Sequence, residues 1–142
     1  MPWIKNVSYD SIVKGTFPDT DGGILIQIMS TVSAFPAIPE NRIHEFSEPP
    51  YQFHFEDIEE DEKIIDLEFG IQDWQAKEIV EILQRALAQD QNVVVHCLAG
   101  ICRSGAVVEV AEMMGFDVLN AHRQPNTMVK KALMKKLGWT YE

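Results

Sequence analysis

Residues 92–105 read NVVVHCLAGICRSG. Three successive β-branched residues, Val93 to Val95, predict a short buried strand. The strand cannot continue past the next few positions. Gly100 and Gly105 permit backbone angles that side chains forbid, so the chain is set to turn between them. Beyond them, Ala106 to Met114 is almost wholly apolar, which predicts a helix buried on most sides and stopped by Gly115. Strand, tight loop and buried helix in direct succession mark the centre of a layered α/β domain.

Working outward, the same grammar repeats. Ala76, Ile79, Val80, Leu83, Ala86 and Leu87 share one helical face and Lys77, Glu78, Glu81 and Gln84 the other, predicting an amphipathic helix over Asp73–Gln89. Trp3–Val7, Gly23–Met29 and Tyr51–Phe55 have strand composition, and Pro18–Gly23 is a turn cluster. Residues 30–50, with Pro36, Pro39, Pro49 and Pro50, form an irregular link. Gln124-Pro125-Asn126 starts a last helix that runs to about Leu137, with Val129, Leu133 and Leu137 facing inward. Strands alternating with helices imply an α/β fold with a mainly parallel central sheet flanked by helices. The length, 142 residues, suits a single domain over 1–142. In such sheets ligands bind outside the carboxyl ends of the strands, which puts the loop after Val95 where a site is expected.

The formal net charge of −10 argues against a nucleic-acid partner, since such binders carry a basic face. No apolar run is long enough to span a membrane, and MPWIKNVSYD lacks the pattern of a secretory leader. Two cysteines are too few for a disulfide scaffold, so a reducing cytoplasm is the expected compartment. Acidic residues crowd Glu56–Glu68, whereas Arg123, Lys130, Lys131, Lys135 and Lys136 form a basic counterpart. Solvated faces explain both runs most simply, but an acidic rim would also disfavour polyanionic substrates.

A strand-to-helix loop presents backbone N–H groups and the positive end of a helix dipole, so it can wrap an oxyanion. Arg103 adds a planar fork that grips two phosphate oxygens at once. The same field stabilises a thiolate over a thiol at Cys97, giving a nucleophile at the floor of a phosphate cradle.

"HCLAGICRSG", residues 96–105, resembles the HCxxxxxR(S/T)G loop of the cysteine-based protein tyrosine and dual-specificity phosphatases. It is also similar to the CxxxxCRS loop of low-molecular-weight tyrosine phosphatases, which carry it near the N-terminus. The layout here is closer to compact dual-specificity enzymes, and "RQPN" at Arg123–Asn126 resembles their late helix start. The resemblance implies that Cys97 attacks phosphorus and carries the phosphoryl group. Arg103 then holds the phosphate, with Leu98, Ala99, Gly100, Ile101 and Cys102 completing the loop. Ser104 hydrogen-bonds the sulfur and assists its departure, and His96 orders the loop without donating a proton. No metal or other cofactor is required. The family's general acid lies on a loop upstream. Asp57 is assigned that role because it follows the Tyr51–Phe55 strand, at the edge shared with Cys97 if the strands are parallel. Asp61 is the nearest rival, and Asp66 and Asp73 stand farther away.

The expected function is therefore hydrolysis of phosphomonoesters, phosphotyrosine in proteins above all and phosphoserine or phosphothreonine with it. Oligomeric state is open. A rhodanese-like sulfurtransferase, an arsenate reductase and a phosphate-binding pseudoenzyme are the alternatives. Zinc held by His96, Cys97, Cys102 and His122 is disfavoured, because adjacent strand residues point to opposite sides. Cys102 is expected to pack behind the loop as a small side chain, with a disulfide to an oxidised Cys97 as the alternative. Trp74, Tyr51 and Phe69 are expected in the core rather than at the site.

Overall fold

The computed structural model describes residues 1–58, 69–119 and 121–140. Along the chain run β1 (Trp3–Ser8), α1 (Tyr9–Lys14), β2 (Ile24–Met29), α2 (Glu40–Ile43), β3 (Tyr51–His54), α3 (Asp73–Ala88), β4 (Val93–Cys97), α4 (Arg103–Met114), β5 (Asp117–Val118) and α5 (Thr127–Lys136). The strands form one sheet in the order β3-β2-β4-β1-β5, and every pairing is parallel. β4 lies in the middle and all five of its residues are buried, as its run of valines predicts.

The sheet divides the apolar residues between two faces. Val93, Val95 and Cys97 join the large core with Ile79, Leu83, Val107, Val110, Val129 and Leu133, from α3, α4 and α5. Val94 faces the other way, into a smaller cluster with Val7, Ile12, Phe17 and Leu25. That alternation is the two-residue period of a strand made visible in three dimensions. The buried face of α3 includes Ala76, Ile79, Val80, Leu83 and Ala86, matching the periodic pattern. Each large aliphatic side chain buried in this way stabilises the fold by about 1.5–3 kcal/mol.

The helix after β4 begins at Arg103, three residues before the apolar run starts. Arg103, Ser104 and Gly105 form its first turn and are buried, so polarity there reflects a site and not a surface. Short elements escaped the sequence patterns. α1 has six residues, too few for a periodic signal, and is held by local chemistry: Ser8 caps its start and Gly15 ends it at φ 70°. The last helix starts as Gln-Pro-Asn announces, with the Asn126 side chain accepting from Val129 N. Among the described residues no helix is long and apolar enough to cross a membrane.

Because all strands run the same way, their carboxyl ends share one edge. Cys97 ends β4, Ser30 follows β2, and Phe55 to Asp57 follow β3.

Candidate active site

A cleft of about 510 Å³ opens at that edge, lined by Ser30, Glu56, Asp57, Cys97, Leu98, Ala99, Cys102 and Arg103. A larger cavity of about 580 Å³ lies elsewhere, walled by the proline-rich link and the start of β3. The chemistry belongs to the smaller one, because the sulfur and the guanidinium meet there.

The loop's construction explains how it could hold an anion. Leu98 O accepts from Tyr9 N at 3.0 Å, Ile101 O from Gln124 N at 3.1 Å, and Cys102 O from Ala106 N at 3.0 Å and Asn126 N at 2.9 Å. Gly100 O accepts from Asn6 Nδ2 at 2.7 Å. The carbonyls are thus tied to the outside of the loop. In a planar trans peptide the N–H opposes the preceding carbonyl, so the amides of residues 99, 101, 102 and 103 are turned the other way, toward the ring's interior. Gly100 is indispensable to this wrap. It adopts φ +74°, and a Cβ there would lie 2.4 Å from the Val7 carbonyl carbon.

Cys97 is buried at the cleft floor, with its Sγ 3.2 Å from Ser104 Oγ. Arg103 is also buried, and its Nη1 donates to Phe55 O at 2.9 Å and Ser30 Oγ at 3.3 Å. Among the described residues its Nε has no hydrogen-bond partner. A buried guanidinium N–H without a partner is costly unless something else completes it. One end of the fork is therefore fixed to the ends of β2 and β3, while a donor beside it remains to take an anion. Asp57 stands exposed on the cleft wall, and its Oδ1 accepts from Asn126 Nδ2 at 2.6 Å. Its rivals Asp61 and Asp66 lie outside the described residues. Asp73, at the start of α3, is not on the cleft; it pairs with Lys136 at 2.5 Å, and the ammonium's hydrogen bond holds its carboxyl below the ordinary range.

Other expectations are corrected here. Cys102 does not pack behind the loop; it is half-buried and lines the cleft with Cys97. Its exposure follows from its position at the N-cap of α4, where the loop turns into the helix. Trp74 and Phe69 are exposed rather than core, whereas Tyr51, at the opposite end of β3, is half-buried and packs against the core as expected, with Glu48 and Arg85 at its hydroxyl. Three residues make contacts at the site that the sequence does not reveal. Asn6 is buried in β1 and bolts the loop through Gly100 O and His122 O. Ser30 accepts from Arg103, and Asn126 donates to both Asp57 and the loop. Each lies far along the chain from its partner, so only the fold brings them together.

His96 is fully buried, and its Nδ1 lies 3.1 Å from Cys97 O. A carbonyl can only accept, so Nδ1 carries the proton and the ring is the neutral tautomer. Burial, opposed by that hydrogen bond and reinforced by the Arg103 charge, pushes its pKa down to about 4. The unfolded chain binds this proton near pH 6.5 and the folded one only near 4, so stability falls as pH drops through that window. Roughly 3 kcal/mol is at stake over the whole interval. Urea denaturation at pH 7 and pH 4.5 should show the loss, and His96→Asn should remove a large share of it. An equal pH dependence in both proteins would contradict the assignment.

The comparisons with known proteins meet this geometry at the loop. A family model described as "Polymorphic toxin system, DSP-PTPase phosphatase" matches residues 58–114, the segment that holds α3, β4, the loop and α4. OH1 of the Orf virus, described as a tyrosine phosphatase with distinct structural features and triple substrate specificity, has a similar fold. The TM-score is 0.50 at 18% identity, over 80% of this chain. Over residues 58–114 the chain is similar to a dual-specificity phosphatase domain, and it shares the fold of the viral enzyme. It spans 57% of the viral chain. No curated protein sequence matches the chain. His96, Cys97, Arg103 and Ser104 all lie inside the matched segment.

Proposed function

We propose that this protein is a metal-independent phosphatase that hydrolyses phosphomonoesters through a phosphocysteine at Cys97. The observation that carries the proposal is the convergence, in one cleft, of a sulfur at the floor, a guanidinium with an uncommitted donor and a carboxyl group on the wall. The anion loop and Arg103 bind the phosphate and stabilise charge developing on its equatorial oxygens. The Cys97 sulfur attacks phosphorus as the ester oxygen leaves, and protonated Asp57 gives that oxygen its proton. The resulting carboxylate then takes a proton from water as the water attacks phosphocysteine. Sulfur departs with the Ser104 hydroxyl donating to it. Residues 96–104 and Asp57 are thus the proposed machinery, with His96 ordering the loop.

The substrate class follows from shape and charge. A cleft of about 510 Å³ admits a phosphorylated tyrosine side chain and leaves room for shorter phosphoserine and phosphothreonine. Glu56 and Asp57 stand at its edge, and like charges there slow the approach of polyanions. The reactive thiol needs a reducing compartment, so the cytoplasm is the proposed location. The test is hydrolysis of p-nitrophenyl phosphate, phosphotyrosyl peptides and inositol polyphosphates in the presence of a chelator. Turnover of the first two, competitively inhibited by orthovanadate, is expected. Loss of activity in chelator, or a preference for inositol polyphosphates, would refute the reading.

A further inference from the structure

We infer that Asn126 is a positioning residue that holds the general acid in register with the phosphate loop. The inference rests on the proposed role of Asp57. Asn126 is fully buried, and every polar atom of its side chain is engaged. Its Oδ1 accepts from Val129 N at 3.0 Å, which identifies the other side-chain atom as the nitrogen. The two Nδ2 protons go to Asp57 Oδ1 at 2.6 Å and Ile58 O at 3.0 Å. Its backbone N–H donates to Cys102 O at 2.9 Å, inside the loop that wraps the phosphate. One residue therefore touches the acid's side chain, the carbonyl of the residue after it and the nucleophile's loop at once.

The physical consequence is order at an exposed group. A carboxylate on a cleft wall samples several rotamers, and freezing it costs conformational entropy. Here the backbone on either side of the acid is already pinned, at Phe55 O by Arg103 and at Ile58 O by Asn126. The remaining freedom, the Asp57 side chain, is removed by the amide. Because Nδ2 occupies Oδ1, the other carboxyl oxygen is the one left to carry the transferable proton. Asn126 thus selects which oxygen faces the leaving group.

Capping of α5 is the competing explanation for this asparagine, and chemistry separates the two roles. Serine and aspartate cap helices about as well as asparagine. Serine is too short to reach Asp57, and aspartate would set one carboxyl against another. Asn126→Ser and Asn126→Asp should therefore fold while releasing the acid. The expected result for Asn126→Ser is a fall in kcat on phosphotyrosine of about tenfold to a hundredfold, the scale of a misplaced group, with KM unchanged. The loss on p-nitrophenyl phosphate should be much smaller, since that leaving group departs without full protonation. In the Asp57→Asn background the serine substitution should add almost nothing.

Equal losses on both substrates, losses that multiply with Asp57→Asn, or wild-type turnover of phosphotyrosine by Asn126→Ser would each overturn the inference while leaving the phosphatase reading intact. Failure of both capping variants to fold would assign Asn126 to structure and also overturn it. A wild-type chain inactive on both substrates would remove the phosphatase reading and this inference with it.

Discussion

Replacing Cys97 by serine should reduce p-nitrophenyl phosphate hydrolysis on the order of 10⁶-fold, the scale on which hydrolases lose activity with their nucleophile. The argument is chemical before it is structural. A serine hydroxyl in the same place is a much weaker acid than a thiol, and the loop offers it no base. Ser104 Oγ, 3.2 Å from the sulfur, is a hydroxyl and cannot take that proton. The fold should survive, because serine is smaller than cysteine and the site is already polar on the Ser104 side. Arg103 and the inward amides are untouched, so the variant should still bind orthovanadate or a phosphotyrosyl peptide. Calorimetric titration alongside the rate assay checks both halves. Residual turnover near the wild-type level would show that another group attacks phosphorus.

Asp57→Asn should lower turnover of phosphotyrosine by about 10²–10⁴-fold, the usual contribution of a general acid. The asparagine is isosteric and keeps an oxygen for the Asn126 amide, so the cleft wall should stay in place. What is lost is the proton. The leaving group then decides the size of the effect: large for a tyrosine phenolate, smaller for p-nitrophenolate, which is stable as an anion. A graded series of aryl phosphates should give a steep dependence on leaving-group acidity in the variant and a shallow one in the wild type. If both slopes are shallow, the acid is another residue, and the acidic stretch at 59–68 is where to look for it.

The two expectations differ in how they could be reached. Cys97 and Arg103 were readable because the loop is local: strand, sulfur, glycine, arginine and helix follow one another within a dozen positions, and helix and strand periods report burial directly. Asp57 was placed by a conditional argument that β3 and β4 run parallel, and both indeed pair parallel with β2. Those pairings join Ile26 to Tyr51 and Ile24 to Val93, 25 and 69 positions apart, and have no local signature.

Asn126 illustrates the boundary most sharply. Its role as a helix start was legible from Gln-Pro-Asn, since capping is a contact between neighbours. Its contacts with Asp57 and Cys102 span 69 and 24 positions and depend on where α5 lands against the sheet. Asn6 is the same case: an unremarkable polar residue in a strand until β1 pairs with β4 and brings it beneath Gly100. Cys102 went wrong for a related reason, because whether a loop side chain faces cleft or core depends on a turn that residue type does not reveal.

Short-range physics, then, was enough for the α/β class, the principal elements and the nucleophile's loop, because hydrophobic period, turn chemistry and a contiguous anion cradle are written along the chain. The tertiary structure decided the strand order, the buried polar partners and the placing of Asp57 and Cys97 on one cleft. Those depend on contacts between distant segments, whose energies arise only once the sheet has assembled.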